Sequence, residues 1–390
     1  MDFKLTEEQE KFRQEVRDFL EGELRQGLWK PTSDAWIMAY DPEFTKRVAQ
    51  KGWIGLTWPK EYGGQGRSFI DRLILTEEML RYGAPAACHW FADRQIGGAV
   101  LHYGTDEQKA EILPKIIKGE AVVGLGMSEP EAGSDLASLK TKAVEDGDYF
   151  VIDGQKVWTS GGSHMNWIYL LARTDPNAPK HRGISEFIFE TNLPGITVNP
   201  IVDMTGGVHF NEVFFDSVRV PKKYLIGGIN SGWKQVLNQL DYERSGMERL
   251  MANYPVFAAL IDYTKQTKRN GKPLSQDPVI RSKLAQLKTE LEIGRLFMYQ
   301  VALAMDAGRA PNWESCLAKW YGTAFQQRLA GTAIEILGLY GQLSPESKWV
   351  PIDGLAYHTY LASKGYSLQA GTSEILKNIL ALRKLGLPSA

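Results

Sequence analysis

The stretch YFVIDGQKVW, Tyr149 to Trp158, decides how the chain is organised. Aromatic and β-branched residues crowd both sides of Asp153-Gly154, and that dipeptide between two such runs predicts a hairpin with a tight turn at 153–154. Four more runs of the same character follow: WIYLLART, SEFIFE, GITVNP and VHFNEVFF. Each is short and bounded by turn residues, as strands are. Working outward, the apolar period lengthens on both sides. Upstream, Thr6 with Gln9 forms a capping-box start, Leu75, Met79 and Leu80 fall on one helical face, and GTDEQKAEILPKIIKGE joins an N-cap cluster to helical spacing and a glycine stop. Downstream of GGINSGWKQ the helical period persists almost to the end. The expected plan is mostly α with a central β domain: helical 1–120, β 121–230, helical 231–390.

The bulk numbers narrow the function. A chain of 390 residues can build two or three domains or layers around a sizeable core. Its 45 basic and 46 acidic side chains nearly cancel, and no long single-sign block occurs. Nucleic acid and anionic membranes are therefore not the expected partners. No run reaches ~18 apolar residues, so no membrane insertion is expected. The acidic, amphipathic start MDFKLTEEQEKF is unlike a targeting segment, and the expected location is cytoplasmic. Cys88 and Cys316 are too far apart in sequence to suggest a disulfide framework or a zinc site, and no HExxH occurs, so no metal is expected. GGQGRS near residue 65 lacks the lysine of a phosphate loop and reads as a turn. There is no GxSxG elbow.

Five stretches, in order, carry a resemblance: WPKEYGG (Trp58–Gly64), GMSEPEAGSDLASLKTKA (Gly126–Ala143), DGQKVWTSGG (Asp153–Gly162), LDYERSG (Leu240–Gly246) and AGTSEILKNILA (Ala370–Ala381). Together they make the chain resemble the acyl-CoA dehydrogenase family of flavoenzymes over essentially its whole length. The resemblance implies an N-terminal helical domain, a middle β-barrel-like domain and a C-terminal four-helix bundle. It further implies FAD held between the middle domain and the C-terminal helices, with an acyl-CoA thioester stacked on the flavin. On the matching positions Met127, Ser128, Gly133 and Ser134 contact the cofactor, Trp158 lies beside the isoalloxazine, Ser160 hydrogen-bonds near N5, and Thr372 and Glu374 meet the cofactor from the C-terminal motif. The implied reaction removes the α proton and transfers a hydride from the β carbon to N5, giving a trans-2-enoyl-CoA. Electrons then pass to an electron-transfer flavoprotein.

Plainer roles stand beside these. Trp158, in a strand-like run, reads from composition as a core aromatic. Ser134-Asp135 reads as a helix cap, and Thr372 or Ser373 as the cap of the last helix.

The stretch SLQAGTSEI (Ser367–Ile375) poses the catalytic problem. Abstracting a proton beside a thioester needs a carboxylate in a dry site. Much of the family carries it at the position held here by Ala370, whose methyl group cannot act. A minority carry it on the helix with the Asp-x-x-Arg motif, where the matching residue is Glu243. In QVLNQLDYERSGMERLM, Val236, Leu240, Met247 and Leu250 form one helical stripe with Glu243 in its middle. Glu243 is therefore the candidate base, and the alternative is an ion pair with Arg249 or Lys234. Glu248 reads as a solvated partner of Arg244. By resemblance Asp241 and Arg244 face the CoA or thioester region. The backbone at Ala370 and Gly371 remains available to the substrate, with the Ala370 N–H donating to the thioester carbonyl.

Two cofactor motifs depart from the family. TKRNGKP has Thr267 and Asn270 where many relatives have Arg and Phe, with Lys268 and Arg269 nearby. EILGLYG has Glu335, Gly338 and Leu339 where many have Gln-x-x-Gly-Gly. In the family both reach an FAD bound mostly by a neighbouring subunit. A homodimer or homotetramer is one expectation, and a hetero-oligomer with a sister acyl-CoA dehydrogenase subunit is the other. Alanine at 370 frees volume beside the flavin, so a branched, cyclic or steroid-like acyl group is expected. Two other functions stay open: a subunit that holds FAD and acyl-CoA while a partner catalyses, and a flavin monooxygenase or oxidase on the same fold.

Overall fold

The computed structural model describes residues 4–243 and 247–388, and of residues 240–243 it describes the helical backbone alone. The chain divides into two compact units, one drawn from 1–36, 68–84 and 244–390, the other from 37–67 and 85–243.

The second unit is built on an eight-stranded sheet: β1 (Val123–Gly126), β2 (Lys142–Asp146), β3 (Tyr149–Ser160), β4 (Trp167–Arg173), β5 (Ile184–Glu190), β6 (Ile196–Ile201), β7 (Phe210–Pro221) and β8 (Leu225–Ile226). Its order is β6-β7-β3-β2-β4-β5-β8, with β1 pairing β4 in parallel. Alternate residues of β3, β4, β5 and β7, among them Phe150, Ile152, Ile168, Leu170, Phe187, Phe189, Val213 and Phe215, meet in one apolar cluster. Strands far apart in the order share that core, so the sheet curls over it.

Asp153-Gly154 is not the expected turn. The tight connection is one Asp-Gly earlier: Asp146 pairs with Tyr149 across Gly147-Asp148, and Gly147 takes φ +57°. At 153–154 the strand continues through an irregularity against β7, where Asp153 Oδ1 accepts the Ser217 N–H at 2.8 Å. Both dipeptides carry the turn chemistry, but only the first has a strand to pair with on its upstream side.

Helices flank this sheet within the same unit. Thr105 caps Asp106–Ile117 with a complete capping box. Trp58, from the WPKEYGG motif, is buried against Gly97, where a Cβ would lie 1.9 Å from the indole. The Gly232–Glu243 helix begins against β5: a Cβ on Gly232 would lie 2.8 Å from the Ser185 carbonyl carbon. Close backbone approach at both places requires glycine.

The other unit is helical. Glu7–Arg25, started by the expected Thr6–Gln9 capping box, packs on Phe69–Arg81, which packs in turn on Pro278–Asp306. Asn312–Leu337 lies against Pro278–Asp306, Leu355–Tyr366 and Met247–Met251. Leu75, Met79 and Leu80 are buried as the spacing predicts. Among the described residues no helix is long and apolar enough to cross a membrane.

Candidate functional site

The expected cofactor residues of the second unit converge on β3 and the loop after β1. The Val157 N–H donates to the Ser128 carbonyl at 2.9 Å, which ties the 127–134 loop to the strand carrying Trp158 and Ser160. Beneath the loop lies a buried ion pair. Lys156 Nζ donates to Glu129 Oε1 at 2.8 Å and to the Met127 carbonyl at 3.1 Å. Glu129 also accepts the backbone N–H of Lys140 at 2.6 Å and of Thr141 at 2.9 Å. Burial works against the charge on Glu129, but Lys156 and the N–H donors outweigh it and hold the carboxyl below its usual range. Burial drives the Lys156 ammonium down to about 8 against the pull of Glu129, so both groups are ionised at neutral pH.

Trp158 is not a core residue. Between Lys156 and Thr159 the β3–β7 register slips by one, two residues facing one on β7. This bulge turns Trp158 to φ +61° and leaves it 56% exposed, edge-on to Phe210 at 6.1 Å and 85°. A bulky aromatic in the left-handed region is strained, and strain of that kind collects at binding sites. Ser160, two residues on, is buried. Met127 and Ser128 are half-buried, while Gly133 and Ser134 are exposed and a Cβ on Gly133 would meet nothing within 4 Å. An open glycine loop, hydroxyls and a half-exposed indole suit a flat aromatic ring with polar edges. Asp135 caps no N–H of the short turn at Leu136–Ser138; its carboxylate accepts from Ser138 Oγ at 2.6 Å and pairs with Lys180.

In the helical unit, Ala370 takes φ +53° and Gly371 φ +93°. Thr372 caps Ser373–Ile379, accepting the Ile375 N–H at 3.2 Å, and Glu374 is exposed in its first turn. Thus Ala370, Gly371, Thr372 and Glu374 form one short segment, and Met127, Ser128, Gly133, Ser134, Trp158 and Ser160 form another group in the other unit.

Arg244 and the side chains of Asp241 and Glu243 lie outside the described residues. On the described residues either side of 244–246 the chain is helical, Gly232–Glu243 and Met247–Met251. Val236, Met247 and Leu250 are buried. Glu248 is not solvated as expected. It is buried beside Arg249, whose guanidinium lies 4.7 Å from both the Trp36 and Tyr366 rings. A neighbouring cation and an aromatic sandwich make burial of that pair tolerable.

At the altered motifs, Asn270 and Gly271 both take positive φ and close a two-residue hairpin that leaves Lys268 and Arg269 exposed. Glu335 pairs with Lys283, and Leu339 and Tyr340 are 81% and 56% exposed just past the end of the helix. Among the described residues no group of three metal-type ligands occurs.

Sequence reasoning missed the buried lysines. Lys156 interrupts an apolar strand run. Lys319 shares a buried helical face with Cys316 and Thr323, three before and four after it. A cation in the middle of an apolar helical stripe is the signal that marks it in the sequence.

Comparison with known proteins covers the whole chain. Residues 6–120 match the family described as acyl-CoA dehydrogenase, N-terminal domain; residues 124–218 match the middle domain and 230–385 the C-terminal domain. Acyl-CoA dehydrogenase FadE26 of Mycobacterium tuberculosis is 34% identical over 400 residues, covering 99% of this chain and 98% of that one. Among solved structures, one described as the Tcur3481-Tcur3483 steroid ACAD aligns with a TM-score of 0.89 at 32% identity, over 100% of both chains. The ChsE4-ChsE5 complex from Mycobacterium tuberculosis aligns with a TM-score of 0.88 at 33% identity, again over 100% of both.

Proposed function

Since the chain belongs to the acyl-CoA dehydrogenase family, and is thereby an oxidoreductase acting on CH–CH groups, we propose that it binds FAD and dehydrogenates a bulky, steroid-like acyl-CoA with Glu243 as base. On the family's plan, its segments 1–120, 121–230 and 231–390 are read as three sequence domains, which the two compact units regroup in space. The observation that carries this reading is Ala370: the segment before Gly371 offers a backbone N–H but no carboxylate, and the Asp-x-x-Arg stretch carries a glutamate, Glu243, between its Asp241 and Arg244.

FAD, when bound, supplies the hydride acceptor for the β carbon. Met127, Ser128, Gly133, Ser134, Ser160, Thr372 and Glu374 would hold it, and Trp158 would offer its indole to the flavin ring. Asp241 and Arg244 bind the CoA thioester region. Glu243 takes the α proton, and the Ala370 N–H stabilises charge developing on the thioester oxygen.

The substrate class rests on the alanine at 370 and on likeness to a complex named as a steroid ACAD. The same neighbours support a hetero-oligomer with a sister subunit, since each is named for a pair of different proteins. The bare Leu339 and Tyr340 beside the altered Gln-x-x-Gly-Gly position are consistent with a partner there. An electron-transfer flavoprotein is the proposed acceptor. Anaerobic titration tests the reading: bleaching of the flavin by a steroid side-chain CoA thioester and not by a straight-chain one supports it. Equal or exclusive bleaching by the straight-chain thioester overturns the substrate class. A flavin that no thioester bleaches, even after co-expression with a sister chain, overturns the function. Bleaching that survives loss of Glu243 only when the sister chain is present assigns catalysis to the partner.

A further inference from the structure

Lys319 sits in the middle of the Asn312–Leu337 helix and is only 1% exposed. Its Nζ donates to the Gly371 carbonyl at 2.8 Å and to the Tyr366 carbonyl at 3.1 Å. These two acceptors bracket the turn that presents Ala370: Tyr366 ends one helix, and Gly371 immediately precedes the cap of the next. Both acceptors and the lysine belong to the helical unit.

The turn needs holding. Ala370 stands at φ +53°, a conformation that residues with a Cβ avoid unless the surroundings impose it. Local bonds tie the two ends: Gln369 N–H to the Gly365 carbonyl at 3.1 Å, and Ser373 N–H to the Ser367 carbonyl at 3.1 Å. Among the described residues the Ala370 N–H itself has no acceptor. A buried ammonium is expensive to keep, and carbonyl acceptors make it tolerable at a site where its geometry is used.

We infer that Lys319 is a positioning residue, whose clasp on the Tyr366 and Gly371 carbonyls fixes the left-handed turn at Ala370 and so aims its N–H at the substrate's thioester oxygen. The inference rests on the functional reading above. Misplacement of a donor by a fraction of its hydrogen-bond length removes most of its stabilisation of developing charge, whereas ground-state binding, spread over the whole CoA, changes little.

The test uses the full-length FAD-loaded chain with Lys319→Met and, should that variant not fold, Lys319→Gln, which keeps one donor. Three quantities are read: the limiting rate of anaerobic flavin reduction by the CoA thioester, the affinity for the enoyl-CoA product, and the carbonyl stretching frequency of the bound enoyl-CoA. The expected result is a fall in limiting rate of at least about 10-fold with affinity within about 3-fold. The bound carbonyl frequency should move back toward its value in water. A lysine that merely glues two helices would change melting temperature without moving that frequency. Wild-type rate and frequency in a folded Lys319 variant overturn the inference and leave the functional reading intact. A wild-type flavin that no thioester reduces overturns the functional reading and this inference with it.

Discussion

Replacing Lys156 by methionine isolates the ion pair under the 127–134 loop. The substitution keeps the bulk of the aliphatic stem but strips Glu129, itself only 7% exposed, of its cation. Removing one member of a buried pair costs about 3–5 kcal/mol. Glu129 keeps two backbone donors, the N–H groups of Lys140 and Thr141, so the lower end, about 3 kcal/mol, is expected here. With a urea dependence of about 3 kcal/mol per molar, the midpoint for the unit containing the sheet should fall by about 1 M at pH 7. At that pH the ammonium, pushed down by burial to about 8, is still charged. The double variant Lys156→Met/Glu129→Gln removes both charges, and it should recover about 2 kcal/mol of the loss. Urea titration followed by tryptophan fluorescence reads all of these. A single variant that loses less than about 1 kcal/mol, or a double variant as unstable as the two single losses added together, refutes the argument.

Glu186 is fully buried in β5, and burial pushes its carboxyl up to about 8, with Tyr169 pulling the other way. The folded protein therefore holds a proton that the unfolded chain releases near its ordinary carboxylate value. Stability should fall as pH rises from about 4.5 to about 8, by up to ~1.4 kcal/mol per unit, and Glu186→Gln should flatten that slope in denaturation series at several pH values. An unchanged slope would show that Glu186 is ionised in the folded state. Gly97→Ala drives a methyl to 1.9 Å from the indole of buried Trp58, and a loss of about 3 kcal/mol in thermal or urea unfolding is expected. A neutral result would mean that Trp58 shifts freely.

The helix, strand, helix order was legible because it rests on periodicity, which tertiary packing leaves alone. Capping at Thr6, Thr105 and Thr372 was legible too, since a cap needs only its own side chain and a local N–H. What failed depends on pairing between distant segments. Which Asp-Gly turns and which bulges is set by the strand across from it, and Trp158 is bare because β7 lacks one residue opposite it. Glu248 reads as surface from its own helix, yet Trp36 and Tyr366, distant in sequence, enclose the Arg249 beside it. Ala370 was legible as a missing carboxylate. Its left-handed backbone and the lysine beneath it were not, because nothing local in SLQAGTSEI points to residue 319.

Proton removal by a single carboxylate on the helix after the β domain is tested most directly by Glu243→Gln, with anaerobic stopped-flow reduction of the flavin by the CoA thioester. The expected outcome is a fall of at least about 100-fold in the reduction rate at unchanged FAD content. Reduction at close to the wild-type rate would contradict it and leave the proton to another group.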